Sequence, residues 1–172
     1  VENILSELEK AGYQAYLVGG CVRDFLMGRE PFDWDITTNA KPEEIQKIFT
    51  DSVYENYFGT VGVKVRHSEE VTEVVEVTPF RKEESYSDKR HPDKVIFTQK
   101  VEDDLARRDF TANALAMDIK GNIVDPFNGQ EDIKSKIIKA VGKPEDRFNE
   151  DALRLMRAVR FAAQLGFNIE PA

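Results

Sequence analysis

Two carboxylates and a pair of glycines mark where this chain could do chemistry. Asp33 and Asp35 stand one residue apart in Asp33-Trp34-Asp35-Ile36-Thr37. If this run is a strand, its side chains alternate between faces, so both Asp residues project together and Trp34 the other way. Two carboxylates on one sheet face repel each other unless a cation lies between them, and hard oxygen donors suit Mg²⁺. Upstream, Leu17-Val18 leads into Gly19-Gly20, followed by Arg23 and Asp24. Glycines let the backbone come close to a ligand, and a helix starting there aims free N–H groups at an anion such as phosphate.

A second group lies near the C-terminal end, Glu150-Asp151-x-x-Arg154-x-x-Arg157. On a helix, Asp151 and Arg154 share a face and Arg157 follows one turn on. An ionised Asp only accepts hydrogen bonds and an Arg only donates them. Cytosine and adenine offer an amino group beside an unprotonated ring nitrogen, whereas uracil and guanine offer a carbonyl beside a ring N–H. An Asp–Arg pair therefore matches CTP and ATP and mismatches UTP and GTP. On spacing alone an ordinary intrahelical salt bridge is the favoured reading, and the surrounding motifs reverse it.

Bulk composition narrows the classes. The chain has 172 residues, 41% hydrophobic and 33% charged, with a net charge of −8. That describes a globular chain of one domain, or one domain plus part of another. The acidic balance argues against broad, non-specific nucleic-acid binding but leaves room for local arginines around a nucleotide. Two histidines are too few for a His-rich metal site. The single cysteine, Cys21, excludes an internal disulfide, suits a reducing compartment and reads as a small buried residue beside the glycine turn. No apolar run approaches a membrane span, no stretch reads as a signal peptide, and the expected location is the cytoplasm.

The elements that must position these groups follow from periodicity. Ile4, Leu5, Leu8 and Ala11 predict an amphipathic helix ending at Gly12, then a strand over Tyr13–Val18 and a helix over Val22–Met27. Asp33–Thr37 is the carboxylate strand, and Lys41–Phe49 a helix with Asn39 as cap and Pro42 in its first turn. Strands are expected at Ser52–Asn56, Val61–Arg66 and Val71–Pro79, with a hairpin at His67–Glu70. Phe80–Pro92 mixes charges without apolar periodicity and reads as a mobile loop, of a length more often functional than idle. Lys100–Met117 reads as helix, turn, helix; Asn122–Asp125 as extended; Glu131–Lys136 as a weak helix; and Arg147–Leu165 as one strong helix.

Five motifs appear in order: Leu17-Val18-Gly19-Gly20-x-Val22-Arg23-Asp24, Asp33-x-Asp35, Arg107-Arg108-Asp109-Phe110-Thr111-x-Asn113-Ala114-Leu115, Asp125-Pro126-Phe127-x-Gly129-x-x-Asp132, and Glu150-Asp151-x-x-Arg154-x-x-Arg157-x-x-Arg160-Phe161. The chain resembles the N-terminal catalytic part of bacterial-type (class II) CCA-adding tRNA nucleotidyltransferases and their poly(A) polymerase relatives. The likeness runs from about Tyr16 to Phe167, and departs at Ala112, where the family usually carries a larger aliphatic residue. It implies an α/β (α+β) nucleotidyltransferase head over residues 1–140, with a small mixed or antiparallel sheet flanked by helices, and the start of a helical neck over 141–172.

The same resemblance implies an enzyme that adds CCA to tRNA 3′ ends from CTP and ATP, using two Mg²⁺ ions. Asp33, Asp35 and Glu76 would be the catalytic metal ligands. Strand parity puts Glu73 and Glu76 on opposite faces without choosing between them; the family pattern Glu76-Val77-Thr78 suggests Glu76. Nucleotide contacts would come from Gly19, Gly20, Arg23, Arg108, Asp109, Asn113, Asp151, Arg154 and Arg157, with Asp125 and Asp132 structural. The alternatives are a CC-adding or A-adding enzyme, a bacterial poly(A) polymerase, or an RNA- or nucleotide-binding module that has lost catalysis.

Overall fold

The computed structural model describes residues 1–54, 58–66 and 72–171. Helix α1 (Glu2–Lys10) buries Ile4, Leu5 and Leu8 on one stripe and is followed by Gly12 at φ 90°. Strand β1 (Ala15–Val18) runs into the glycine turn and α2 (Gly20–Leu26). After β2 (Asp35–Thr38) comes α3 (Pro42–Ile48), with its proline in the first turn as expected. Its cap is Lys41, whose N–H donates to the Glu44 carboxylate at 2.7 Å. Asn39 instead accepts from the Gln14 N–H at 2.7 Å.

Strands β3 (Ser52–Tyr54), β4 (Val61–Arg66) and β5 (Thr72–Pro79) extend the sheet. The expected hairpin at His67–Glu70, Val71, and the end of the Ser52–Asn56 strand lie outside the described residues. Then come β6 (Arg81–Glu84), β7 (Lys94–Phe97), α4 (Val101–Ala106), a 3-10 turn (Thr111–Asn113), β8 (Ala116–Met117), β9 (Ile123–Val124) and α5 (Gly129–Ser135). Strand β10 (Ile137–Ile138), helices α6 (Pro144–Glu150) and α7 (Leu153–Leu165) and strand β11 (Asn168–Ile169) complete the order.

The main sheet has the strand order β3-β4-β5-β2-β1-β8-β9, antiparallel except for the parallel β2–β5 pair. Alternation gives it two unlike faces. Leu17, Ile36, Val61, Val63, Val75 and Val77 join the buried residues of α1, α2 and α3 in one apolar cluster. On the other face, Val18 packs with Phe80, Val101 and Leu105, so α4 covers part of it. The remainder of that face carries Asp35 and Glu76.

Four expectations are corrected. Strand β2 starts at Asp35, with Asp33 in the bend before it; β1 ends at Val18 and turns away at Gly19, so residues ahead of Asp35 lose β1 as a neighbour. The second half of Lys100–Met117 holds only the short 3-10 turn Thr111–Asn113 in place of an α-helix, because Ala116 and Met117 pair with Val18 and Leu17 in the sheet.

Phe80–Pro92 is no simple loop: Arg81–Glu84 pairs antiparallel with Lys94–Phe97. The strand escapes an apolar pattern because its inward residues, Arg81 and Glu83, are buried by ion pairing, while Lys82 and Glu84 face out.

The helix expected over Arg147–Leu165 breaks at Asp151 and Ala152. Asp151 Oδ1 accepts the Leu153 N–H at 2.9 Å, and the Ala152 N–H donates to the Lys89 carbonyl at 3.2 Å. An Asp side chain that offers the backbone a local acceptor competes with the helical ladder and starts a new helix instead.

Candidate active site

The parallel register between β2 and β5 sets Asp35 beside Glu76, and the antiparallel register between β4 and β5 sets Gly62 on the far side of Glu76. This row lies on the polar face, and Asp35 and Glu76 are both exposed. Glu73 pairs with Val65 and shares parity with the buried Val75 and Val77. Register thus separates the two glutamates that sequence parity could not. Asp33 is exposed in the bend ahead of β2, and Trp34 packs against the apolar cluster. Crowding raises the Asp35 pKa: desolvation is the largest cause, the Asp33 charge adds to it, and Arg108 opposes it.

The glycine turn is fitted to Arg108. Gly19 has φ 82°, and a Cβ there would stand 2.9 Å from Arg108 Nη1. The backbone angle favours glycine, and any side chain there would have to push the Arg108 guanidinium aside. The Gly19 N–H donates to the Leu115 carbonyl at 3.1 Å, and Gly20 opens α2. Arg23 is turned inward: its guanidinium binds the Asp24 carboxylate at 2.8–2.9 Å and Asn113 Oδ1 at 2.6 Å, over the Phe161 ring. Asn113 in turn reaches Asp109 Oδ1 at 3.5 Å, and Asp109 Oδ2 accepts Arg157 Nε at 2.7 Å. Arg23, Asn113 and Asp109 therefore form one chain of contacts from the glycine turn to α7.

Behind this chain lies a buried ionic cluster that the sequence reading missed. Asp104 is fully buried. Its Oδ1 takes Arg107 at 2.9 Å, while its Oδ2 takes Arg108 Nη2 at 3.3 Å and the Thr37 hydroxyl at 3.4 Å. Glu83 binds Arg107 at 2.9 Å and Arg81 at 3.0 Å, and accepts the Tyr86 hydroxyl at 2.6 Å. For Asp104, burial alone would raise the carboxyl pKa, but Arg107 and Arg108 outweigh it and hold the pKa low; Glu83 is likewise lowered against its burial, chiefly by Arg107 and the Tyr86 hydroxyl. The signal was available, since Asp104 precedes Arg107 and Arg108 by three and four residues on one helical face.

The Asp151–Arg154 pair expected from helical spacing is not formed. Arg154 instead takes Glu150 at 2.6 Å, which also binds Arg147, and donates to the carbonyls of Arg147 and Arg107 at 3.2 and 3.3 Å. Its guanidinium lies 5.9 Å from the Tyr86 ring centroid. The break at Asp151 explains the exchange: the Asp151 carboxylate turns to the Leu153 N–H, and Glu150, the last residue of α6, meets Arg154 across the break. Even so, Arg108, Asp109, Asp151, Arg154 and Arg157 all line one cleft of about 350 Å³, together with Arg107 and Leu153. Asp125 caps α5 through the Gly129 and Gln130 N–H groups at 2.7 and 3.0 Å, and Asp132 accepts the Thr111 hydroxyl at 2.6 Å, both structural tasks.

The arrangement of turn, carboxylate strand and arginine-lined cleft has counterparts. Residues 15–139 match the poly A polymerase head domain. The chain belongs to that family. It is 55% identical to the CCA-adding enzyme of Lactobacillus helveticus over 168 residues, covering 97% of this chain and 41% of the relative. It is 52% identical to that of Listeria monocytogenes over 167 residues, again 97% of this chain and 42% of the relative. The chain thus spans about two-fifths of the length of these relatives. Among solved structures, the Bacillus stearothermophilus CCA-adding enzyme in complex with CTP superposes with a TM-score of 0.87 at 46% identity, over 99% of this chain and 40% of that one. A tRNA nucleotidyltransferase complexed with a primer tRNA and an incoming ATP analog superposes at 0.73 with 30% identity, over 97% of this chain and 46% of that one. The head-domain fold is shared throughout.

Nucleotidyltransferases of this kind are generally metal-dependent, and the donor set suits a hard cation. Asp35 and Glu76 are register neighbours on one face, Asp33 is two residues away, and all three supply carboxylate oxygen. Among the described residues, no three His, Cys, Asp or Glu groups form a cage by themselves. Mg²⁺ is commonly held by one or two carboxylates, with water and substrate phosphates completing its shell. Among the described residues, no helix is long and apolar enough to cross a membrane.

Proposed function

We propose that this protein is a template-independent RNA nucleotidyltransferase that adds C, C and A to the 3′ end of tRNA from CTP and ATP. Residues 1–140 form the catalytic head and 141–172 the start of a neck. The observation that carries this reading is the cleft that gathers Arg108 and Asp109 with Asp151, Arg154 and Arg157. In the reaction, the 3′ oxygen of the RNA forms a bond to the α-phosphorus, its proton is lost, and the bond to pyrophosphate breaks. Asp33, Asp35 and Glu76 would hold Mg²⁺, two ions in the full reading, whose charge favours the deprotonated 3′ oxygen and neutralises the triphosphate.

This chain's own residues do the rest. The Gly19–Gly20 turn admits the phosphates closely, and Arg108 faces them from beside Gly19. Arg23, Asn113 and Asp109 brace the turn against α7. Asp151 and Arg154 both line the cleft. The second oxygen of Asp151 would accept from the amino group of cytosine or adenine, and Arg154 would donate to the ring nitrogen by exchanging one of its bonds to Glu150 or to the carbonyls of Arg147 and Arg107. Relatives named CCA-adding enzymes, one of them crystallised with CTP, support CCA addition. We place the enzyme in the cytoplasm, where its lone, buried Cys21 needs no partner.

Calorimetric titration with CTP, ATP, UTP and GTP, each with Mg²⁺, tests the reading. Binding confined to CTP and ATP is the expected result, and Arg154→Ala should blur it. Binding of ATP alone would instead favour an A-adding enzyme or poly(A) polymerase. Equal binding of all four would remove base recognition from Asp151 and Arg154.

A further inference from the structure

Resting on the nucleotidyltransferase reading, we propose that Asp104 is a positioning residue that holds Arg108 beside the Gly19–Gly20 turn, so that Arg108 meets the nucleotide's triphosphate and does not collapse onto Asp35. Asp104 splits two consecutive arginines. One oxygen takes Arg107 and draws it toward Glu83 and the β6–β7 hairpin; the other takes Arg108 Nη2 at 3.3 Å. The cluster sets two carboxylates, Asp104 and Glu83, against three guanidiniums, Arg81, Arg107 and Arg108. One positive charge is left in excess.

Arg108, which also faces the Asp35 carboxylate, is the member of the cluster that reaches the glycine turn. Arg108 Nη1 is the group that a Gly19 side chain would strike, at 2.9 Å, so the guanidinium stands against the turn. Its Nε is buried with no hydrogen-bond partner among the described residues. With Nη2 taken by Asp104 and Nε buried, Nη1 is the donor left at the turn for a phosphate oxygen. Thr37 Oγ1 ties Asp104 to β2 two residues from Asp35, so the competing carboxylate lies on the same sheet face. Removing Asp104 would free Arg108 to pair there.

The test titrates the full-length protein with CTP and, separately, with cytidine, which lacks phosphates. Asp104→Asn should weaken CTP binding roughly tenfold or more, the range for one charge-assisted hydrogen bond, and leave cytidine binding unchanged. Arg108→Gln should show the same phosphate-confined loss. The double variant should fall no further than Arg108→Gln alone, because the two residues act through one contact. Equal losses for CTP and cytidine, or additive losses in the double variant, would overturn the proposal and leave Asp104 a purely structural group. If Asp104→Asn fails to fold, Asp104→Glu keeps the charge and shifts the carboxylate by one methylene. A CTP-specific loss in that variant supports the proposal, and unchanged CTP binding overturns it. A wild-type protein that binds no CTP would sink the nucleotidyltransferase reading itself, a separate result.

Discussion

Asp35 and Asp104 lie against one face of the same sheet, two residues apart along β2 as judged by Thr37, yet their surroundings differ completely. Asp35 lies at the open face with Glu76 beside it in register, and its pKa is raised chiefly by desolvation, with the Asp33 charge adding and Arg108 opposing. Asp104 is fully buried, gripped by Arg107 and Arg108, and its pKa is lowered. One set of carboxylates shares an open sheet face where ionising Asp35 is costly; the other is matched by guanidiniums in the interior. Like charges kept together at a surface carry a standing penalty, which a cation relieves. The buried set is a brace, and removing one partner leaves an uncompensated charge.

The largest effect should come from the open set. Asp35→Ala should lower single-turnover CMP transfer to tRNA by about 10³-fold or more, since metal-assisted charge stabilisation is worth several kcal/mol. Stability should move the other way. The folded pKa of Asp35 lies above its unfolded value, so the folded state binds the proton more readily and gains stability as pH falls through that pKa. Asp35→Asn should therefore raise the thermal midpoint at pH 7, and the gap should close on acidification below the ordinary carboxylate range. A lowered midpoint at pH 7 would place Asp35 among the bracing groups.

The contrast between the two sets explains what could be read from sequence. Gly19-Gly20 is legible because local rules govern it, a positive φ and close backbone approach. Strand alternation reached only Asp35, since β2 begins there and Asp33 lies in the bend before it. The choice of Glu76 over Glu73 needed the register with β2, which is tertiary information. The hairpin from Arg81 was hidden because ion pairs, not apolar side chains, mark its inward face. The Glu150–Arg154 pair replaced Asp151–Arg154 because a side-chain acceptor at Asp151 restarted the helix. Periodicity counts apolar residues, so it misses elements held by charge or ended by a polar side chain.

A middle-sized effect should sharpen the bracing side. Glu83 has a 7% exposed side chain paired with Arg81 and Arg107. Glu83→Gln should destabilise by about 3 kcal/mol, as for breaking a buried pair. Its pKa is lowered in the fold, so its contribution is present above the unfolded carboxylate pKa of about 4.3 and lost as pH falls through the folded value. Urea midpoints of wild type and variant should therefore converge in acid. A gap that persists at low pH would mean that packing, not charge, holds the hairpin.

The smallest effect tests a residue that stands between the two classes. Asp151 lines the cleft, as a base-reading group should, and also accepts the Leu153 N–H at the start of α7, as a brace should. Ser can keep the second task, because its hydroxyl also accepts from a helix N-terminal N–H, but it carries no negative charge. Asp151→Ala removes both tasks and should cost about 1 kcal/mol, the usual loss for a helix-start acceptor. Asp151→Ser should stay within about 0.5 kcal/mol of wild type. The two variants should be indistinguishable in nucleotide binding, each losing preference for CTP and ATP over UTP and GTP, because selectivity depends on the carboxylate. If Asp151→Ser retained that preference, hydrogen bonding at the helix break would be the residue's whole contribution, and base recognition would fall to Arg154 and its Glu150 support.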